Sequence, residues 1–209
     1  EHDLESVPKA KFASPVAFFK DLEKAGGPVK RYVGELYFQA HRGVYTSQAK
    51  TKKGNRKAEI ALREAELWGA TAMVLVGFSY AKSALNAAWE IVLMNQFHDI
   101  LPGSSIARVY EEANAKYDEA IAAANGAAAK AVTLLTSGGA EGFSVFNSLS
   151  WGRKALVRLP ESYTGLSDAY GRTLPVQNDG QELLTEVDVP PCGWIYIKPV
   201  DTFCSTING

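Results

Sequence analysis

Apolar positions recur every three or four residues from about residue 56 to residue 137, and the period changes to alternation from about Gly138 onward. In SIARVYEEANAKYDEAIAAANGAAAKAVTLL, the residues Ile106, Val109, Tyr110, Ala113, Tyr117, Ile121, Ala124, Ala128, Ala131 and Leu135 form one apolar stripe. A helix buries such a stripe against its neighbours. RKAEIALREAELWGATAMVLVGFS and AKSALNAAWEIVLMNQFHDI predict two preceding helices, and the short connections between the three predict an up-down, spectrin-like three-helix bundle. Beyond it, EGFSVFNSLSW, KALVRLP, LLTEVDVPP and GWIYIKPV are short β-rich runs separated by Asn, Ser, Gly and Pro, the pattern of β-sandwich strands. The fold class read from the pattern is therefore α+β.

Residues 1–55 follow neither period. ASPVAFFKDLEKAGG carries Ser14 as a helix N-cap, Pro15 at the first helical position and Gly26-Gly27 as a stop. KRYVGELYFQA then predicts extended chain, with its aromatic and β-branched residues. One helix and one strand do not make a domain, so this zone reads as the edge of a sheet-and-helix domain whose remainder lies elsewhere. The organisation expected is 1–55, 56–137 and 138–209.

Composition narrows the function class. The 209 residues are 46% hydrophobic and 22% charged with a net charge of −1, which points away from nucleic acid as a partner. Cys192 and Cys204 are too few to staple a fold, and no window approaches the ~20 apolar residues of a membrane span. A cytoplasmic protein is expected, and a first residue of Glu1 rather than Met favours a piece of something longer. The basic run Lys50 to Lys57, KTKKGNRK, lacks the interleaved aromatics of a nucleic-acid patch and reads as a solvated loop and first helical turn. Trp68 and Trp89 read as core residues, and Asn147 in FNSLSW as the group that satisfies a turn.

The chemistry concentrates in NQFHDILPGSS. There His98 and Asp99 stand just before a Pro-Gly stop, in a chain with three histidines. At about 100° per residue, Leu85, Val92, Leu93, Gln96 and Ile100 fall near Trp89 on the face expected to meet the bundle. His98 falls about 180° away, with Ala84, Ala87, Ile91 and Met94. That face is apolar too, so it is expected to be covered by something outside the bundle. The carbonyls at a helix end favour a cation or a metal-bound imidazole, and a neighbouring carboxylate can orient a ligand or accept hydroxyl protons. A hydrogen-bonded interface pair accounts for the same two residues.

The runs NQFHDILPGSSIARVYEEA, GELYFQAHRGVYTSQAKTKKGNRKAEIALREAELW and FSVFNSLSWGRKALVRLP together resemble glycoside hydrolase family 38, the α-mannosidases of the cytosolic and bacterial branch. The resemblance implies the remnant of an α/β catalytic domain, the middle three-helix bundle and the start of a C-terminal β domain. It implies a zinc-dependent retaining hydrolysis of terminal α-mannose from oligosaccharides. By it, His98 is a zinc ligand and Asp99 contacts sugar hydroxyls, while His41, Arg42 and Tyr45 fall where the family lines the sugar site. The nucleophile, the general acid and the remaining zinc ligands are then expected upstream, in the catalytic domain of the same chain, leaving this stretch inactive by itself. Homo-oligomerisation stays open. The competing reading is a helical and β interaction module without a site of its own.

Overall fold

The computed structural model describes residues 6, 8–27, 30–35, 39–136, 142–160, 163, 165–178 and 180–200. They divide into two compact units, Glu1–Arg42 and Gly43–Gly209.

In the first unit, helix α1 (Pro15–Lys24) begins as its sequence dictates. Ser14 Oγ accepts the Ala17 N–H at 3.2 Å, and Pro15 opens the first turn. It ends where Gly26 and Gly27 take φ of +101° and +60°, conformations that a Cβ disfavours. None of its residues is buried, and Phe18 and Phe19 meet edge to face at 5.3 Å. The extended segment expected over residues 30–40 is not a strand where it is described. Residues 30–35 have no regular structure, Gly34 bends the chain at φ +143°, and a 3-10 helix occupies Gln39–Tyr45. Residues 36–38 lie outside the described residues. A strand needs a ladder partner for its N–H and C=O groups, and α1 supplies none.

The second unit opens on helix α2 (Ala49–Val76), followed by α3 (Lys82–Asn95) and α4 (Ala107–Thr136). α2 starts earlier than its apolar period announces, so the KTKKGNRK run is helical. Its lysines are good helix formers, and Thr51 is buried with its hydroxyl donating to Asn114 Oδ1 at 3.2 Å. The bundle core is Ala58, Ala61, Leu62 and Ala65 of α2, Leu85, Ala88 and Val92 of α3, and Tyr117, Ala120 and Ala124 of α4. Small residues dominate α2 and α4, which lets those two helices pack along most of their length. Burial, helped by the Glu59 carboxylate, pushes the Tyr117 hydroxyl up to about 12. Trp89 packs on this core and donates from Nε1 to Glu66 Oε1 at 2.8 Å.

Two antiparallel sheets follow. One has the order β1-β7-β3-β4, with β1 Phe143–Asn147, β7 Gly193–Val200, β3 Gly165–Asp168 and β4 Thr173–Leu174. The other has the order β2-β6-β5, with β2 Arg153–Pro160, β6 Glu182–Val189 and β5 Val176–Asn178. Leu166 and Ile197 of the first sheet share a core with Leu159, Val176, Leu183, Val187 and Val189 of the second, so the strands form the two layers of a sandwich. A third cluster joins this part to the bundle. Trp68 of α2 meets Phe146 of β1 edge to face at 5.0 Å, and Phe146 stacks on Trp194 of β7 at 5.4 Å. Asn147 is buried and ties the turns together, its Nδ2 donating to Trp151 O at 2.8 Å and Pro190 O at 2.9 Å while Oδ1 accepts from Leu149 N. It satisfies backbone there, as read from the sequence.

Candidate functional site

The loop bearing His98 and Asp99 is built by what stops α3. Gln96 caps the helix at φ −81°, and its amide Nε2 donates back to Asn55 Oδ1 and Glu59 Oε1, each at 3.0 Å. That pulls the helix end onto α2. Turns replace the helix beyond it, with Ile100 N bonded to Phe97 O at 2.9 Å and Gly103 N to Ile100 O at 3.2 Å. Pro102 disfavours helix at Leu101, and a serine hydroxyl competes for the backbone. Ser105 Oγ donates to Asp99 O at 2.7 Å, and the Tyr110 hydroxyl, which accepts the Ser105 N–H, also donates to Asp99 O at 3.4 Å.

His98 therefore lies beyond the helix that was expected to carry it, and the helical period does not set its direction. The expected second apolar face is likewise largely open: Ala84 and Ala87 are exposed, Met94 is 69% exposed, and Ile91 is half-buried against the bundle. Leu93, expected in the core, is 60% exposed, and buried Ala88 and Asn95 take that face with Leu85 and Val92. With α3 lying against α2 and α4, the face turned inward is centred on Ala88 and Val92 rather than on Trp89.

The imidazole Nε2 of His98 stands 3.2 Å from Asp99 Oδ2, with the two side chains 75% and 58% exposed. The His98 ring lies against Phe97 at 4.2 Å between centroids. Asp99 Oδ1 accepts from Ser104 Oγ at 3.2 Å, so the carboxylate is held at both oxygens while its backbone is held by Ser105 and Tyr110. The result is an imidazole and a carboxylate that pair with each other and remain exposed to solvent on one loop.

Of the other residues singled out, His41 and Arg42 are exposed on the 3-10 helix, which kinks at His41 (φ −106°, ψ 19°). They close the first unit, and Tyr45 belongs to the second. Within the second unit, the turn following Tyr45 touches the His98 loop. Gly103, at φ +98°, presents its Cα so closely to Ser47 that an added Cβ would sit 2.7 Å from Ser47 Cβ and 3.1 Å from Ser47 O. Gly103→Ala is expected to destabilise the protein by roughly 2 kcal/mol, since left-handed strain and overlap with a neighbouring backbone act together. Chemical denaturation of the variant measures this, and an unchanged midpoint would count against the close approach.

Among the described residues no group of three or more His, Cys, Asp or Glu side chains gathers to hold a metal ion. Zinc takes three or four protein ligands. His98 and Asp99 fit part of such a set and not the whole. Clefts of about 680 Å³ in the β part and about 880 Å³ between the bundle and the Ser148–Trp151 turn are lined by other residues, not by these two. No described helix is long and apolar enough to cross a membrane.

The model of the α-mannosidase middle domain matches residues 39–135. Human α-mannosidase 2C1 is 35% identical over 200 residues, 94% of this chain and 18% of that protein. α-Mannosidase G of Dictyostelium discoideum is 46% identical over 110 residues, 53% of this chain and 10% of that protein. A solved protein of glycosyl hydrolase family 38 from Enterococcus faecalis has the same fold over 94% of this chain and 29% of its own, with TM-score 0.65 at 18% identity. The chain thus spans about a fifth or less of the curated relatives it matches. Carrying the middle domain at residues 39–135 and following α-mannosidase 2C1 along nearly its whole length, it belongs to the α-mannosidases of glycoside hydrolase family 38.

Proposed function

We propose that this chain supplies one wall of the active site of a zinc-dependent retaining α-mannosidase that removes terminal mannose from α-mannoside oligosaccharides. The observation that supports it best is the pair His98 and Asp99, both open, 3.2 Å apart, on a loop whose backbone is fixed from behind. Their exposure leaves both within reach of a ligand, whereas a purely structural pair is better served by burial. In this reading the His98 imidazole is one ligand of a zinc ion shared with residues outside this chain. The Asp99 carboxylate accepts hydrogen bonds from sugar hydroxyls, and His41, Arg42 and Tyr45 line the sugar. Bound zinc would polarise and grip hydroxyls of the sugar as a Lewis acid. The two carboxyl groups of retaining hydrolysis, nucleophile and general acid, come from the catalytic domain of the same longer protein. We also place the protein in the cytoplasm, on its sparse cysteine usage.

The test uses this chain and a full-length protein containing it. The chain alone should give no turnover of an aryl α-mannoside, and calorimetry should find zinc bound no tighter than about micromolar, as two donors of the usual three or four imply. The full-length protein should release mannose with its anomeric configuration retained, read by NMR at early times. Tight zinc binding or turnover by the chain alone would mean a complete site here, and absence of turnover by the full-length protein would leave an interaction module.

A further inference from the structure

Helix α2 begins against its own electrostatics. Its opening residues include Lys50, Lys52 and Lys53, and its first turn has no acidic residue, although the N-terminal end of a helix repels cations. Lys50 and Lys53 are exposed and hydrated, whereas Lys52 is half-buried. Its Nζ donates to three carbonyl oxygens: Ser47 at 2.5 Å, Leu101 at 2.9 Å and Pro102 at 3.3 Å. Desolvation lowers the affinity of this amine for its proton, and the three carbonyl dipoles replace the water it has lost. The acceptors belong to segments far apart in sequence. Ser47 follows the 3-10 helix that ends at Tyr45, and Leu101 and Pro102 follow Asp99 directly. Gly103 closes the same junction by its approach to Ser47.

We propose that Lys52 is a positioning residue for the reaction, pinning the His98–Asp99 loop to the turn after Tyr45 so that the segments carrying the candidate site residues keep one register. The inference rests on the reading of the chain as part of an α-mannosidase. Without the ammonium the three carbonyls lose a shared donor, and the loop is left with its internal turns and the serine bonds at Asp99. A displacement of about 1 Å in such a wall costs on the order of a hundredfold in rate, even though Lys52 touches neither His98 nor Asp99.

The test compares Lys52→Met with Lys53→Met, which removes the same charge one residue away from an exposed position. In this chain, hydrogen exchange of the Ile100, Leu101 and Gly103 amides should quicken at least about tenfold in Lys52→Met, with the Ala58, Ala61 and Ala65 amides nearly unchanged, as local opening requires. In the full-length enzyme, Lys52→Met should lower kcat by roughly tenfold or more with KM little altered, as a lost transition-state alignment does, while Lys53→Met stays close to wild type. A loop as protected as wild type overturns the pin. Exchange rising equally in loop and core, or a loosened loop with normal kcat, overturns the positioning role. If the loop loosens but the wild-type full-length protein hydrolyses no mannoside, the assigned reaction falls and the pin stands.

Discussion

On the proposed function, His98→Ala in a full-length protein is expected to strip most of the zinc and to collapse turnover, while the fold of this chain barely notices. The side chain is 75% exposed, lies outside any helix, and its contacts are the Phe97 ring and the Asp99 carboxylate. Removing such a group creates no cavity, so the metal-free stability of this chain should change by about 0.5 kcal/mol or less. Losing one ligand of about four should weaken metal binding severely. An interaction that grips the sugar through ring distortion also contributes more to the transition state than to the bound substrate. Asp99→Asn separates the two roles. Its amide oxygen can still accept from Ser104, which now bonds Oδ1 at 3.2 Å, so the loop and the metal should survive and the loss should fall on kcat/KM. Metal analysis beside steady-state kinetics on both variants decides the matter. A His98→Ala enzyme with full zinc and near-normal turnover would remove the ligand role and return the pair to a structural one.

How far the site was legible follows from what controls each part. The two residues were visible because a His-Asp pair before Pro-Gly is unusual in a chain with three histidines. Their direction was not, because α3 ends at Asn95. What ends it is the Gln96 amide bonding Asn55 and Glu59 of another helix, a tertiary contact that no period announces. The stripe of α4 was legible through Tyr110, Ala113, Tyr117, Ala124 and Ala131, all buried. Periodicity could assign those positions because both faces of that helix differ in polarity. α3 has apolar residues all round, so its wheel misplaced Leu93. In the β part β1, β2, β6 and β7 are readable as β-rich runs between turn residues, whereas β3, β4 and β5 are two to four residues long and too short to stand out. Lys52 is one member of a basic run in the sequence, and its sequence neighbours hold nothing that sets it apart. Its carbonyl partners at Leu101 and Pro102 become neighbours only when α3 returns along α2.

Two glycines on facing helices should respond to substitution with opposite signs, and the larger response reaches the site. Gly54 in α2 lies under Tyr117 of α4. A Cβ there would stand 2.9 Å from Tyr117 Cδ2 and 3.1 Å from both Tyr117 Cβ and Cγ. Those atoms lie at the root of a ring that is completely buried, so the ring cannot swing aside as the tip of a flexible chain would. Helix propensity alone favours replacing a glycine by about 0.8–1 kcal/mol, but overpacking a tight core costs about 1–3 kcal/mol, and a leucine adds further atoms beyond Cβ. Gly54→Leu should therefore lose about 3 kcal/mol or more. It should also disturb the Tyr117 hydroxyl bond to Asn55 at 3.3 Å, and with it the Asn55, Glu59 and Gln96 contacts that end α3 just before His98. Gly126 in α4 has open space around its missing Cβ, so Gly126→Ala should gain up to about 1 kcal/mol from propensity with nothing to oppose it. Urea unfolding of both variants, with amide exchange at residues 97–103, reads the two effects together. A stabilised Gly54→Leu would mean that α2 and α4 do not approach each other through the contact on which the placement of the His98 loop depends, and a destabilised Gly126→Ala would mean that the space at Gly126 is not open.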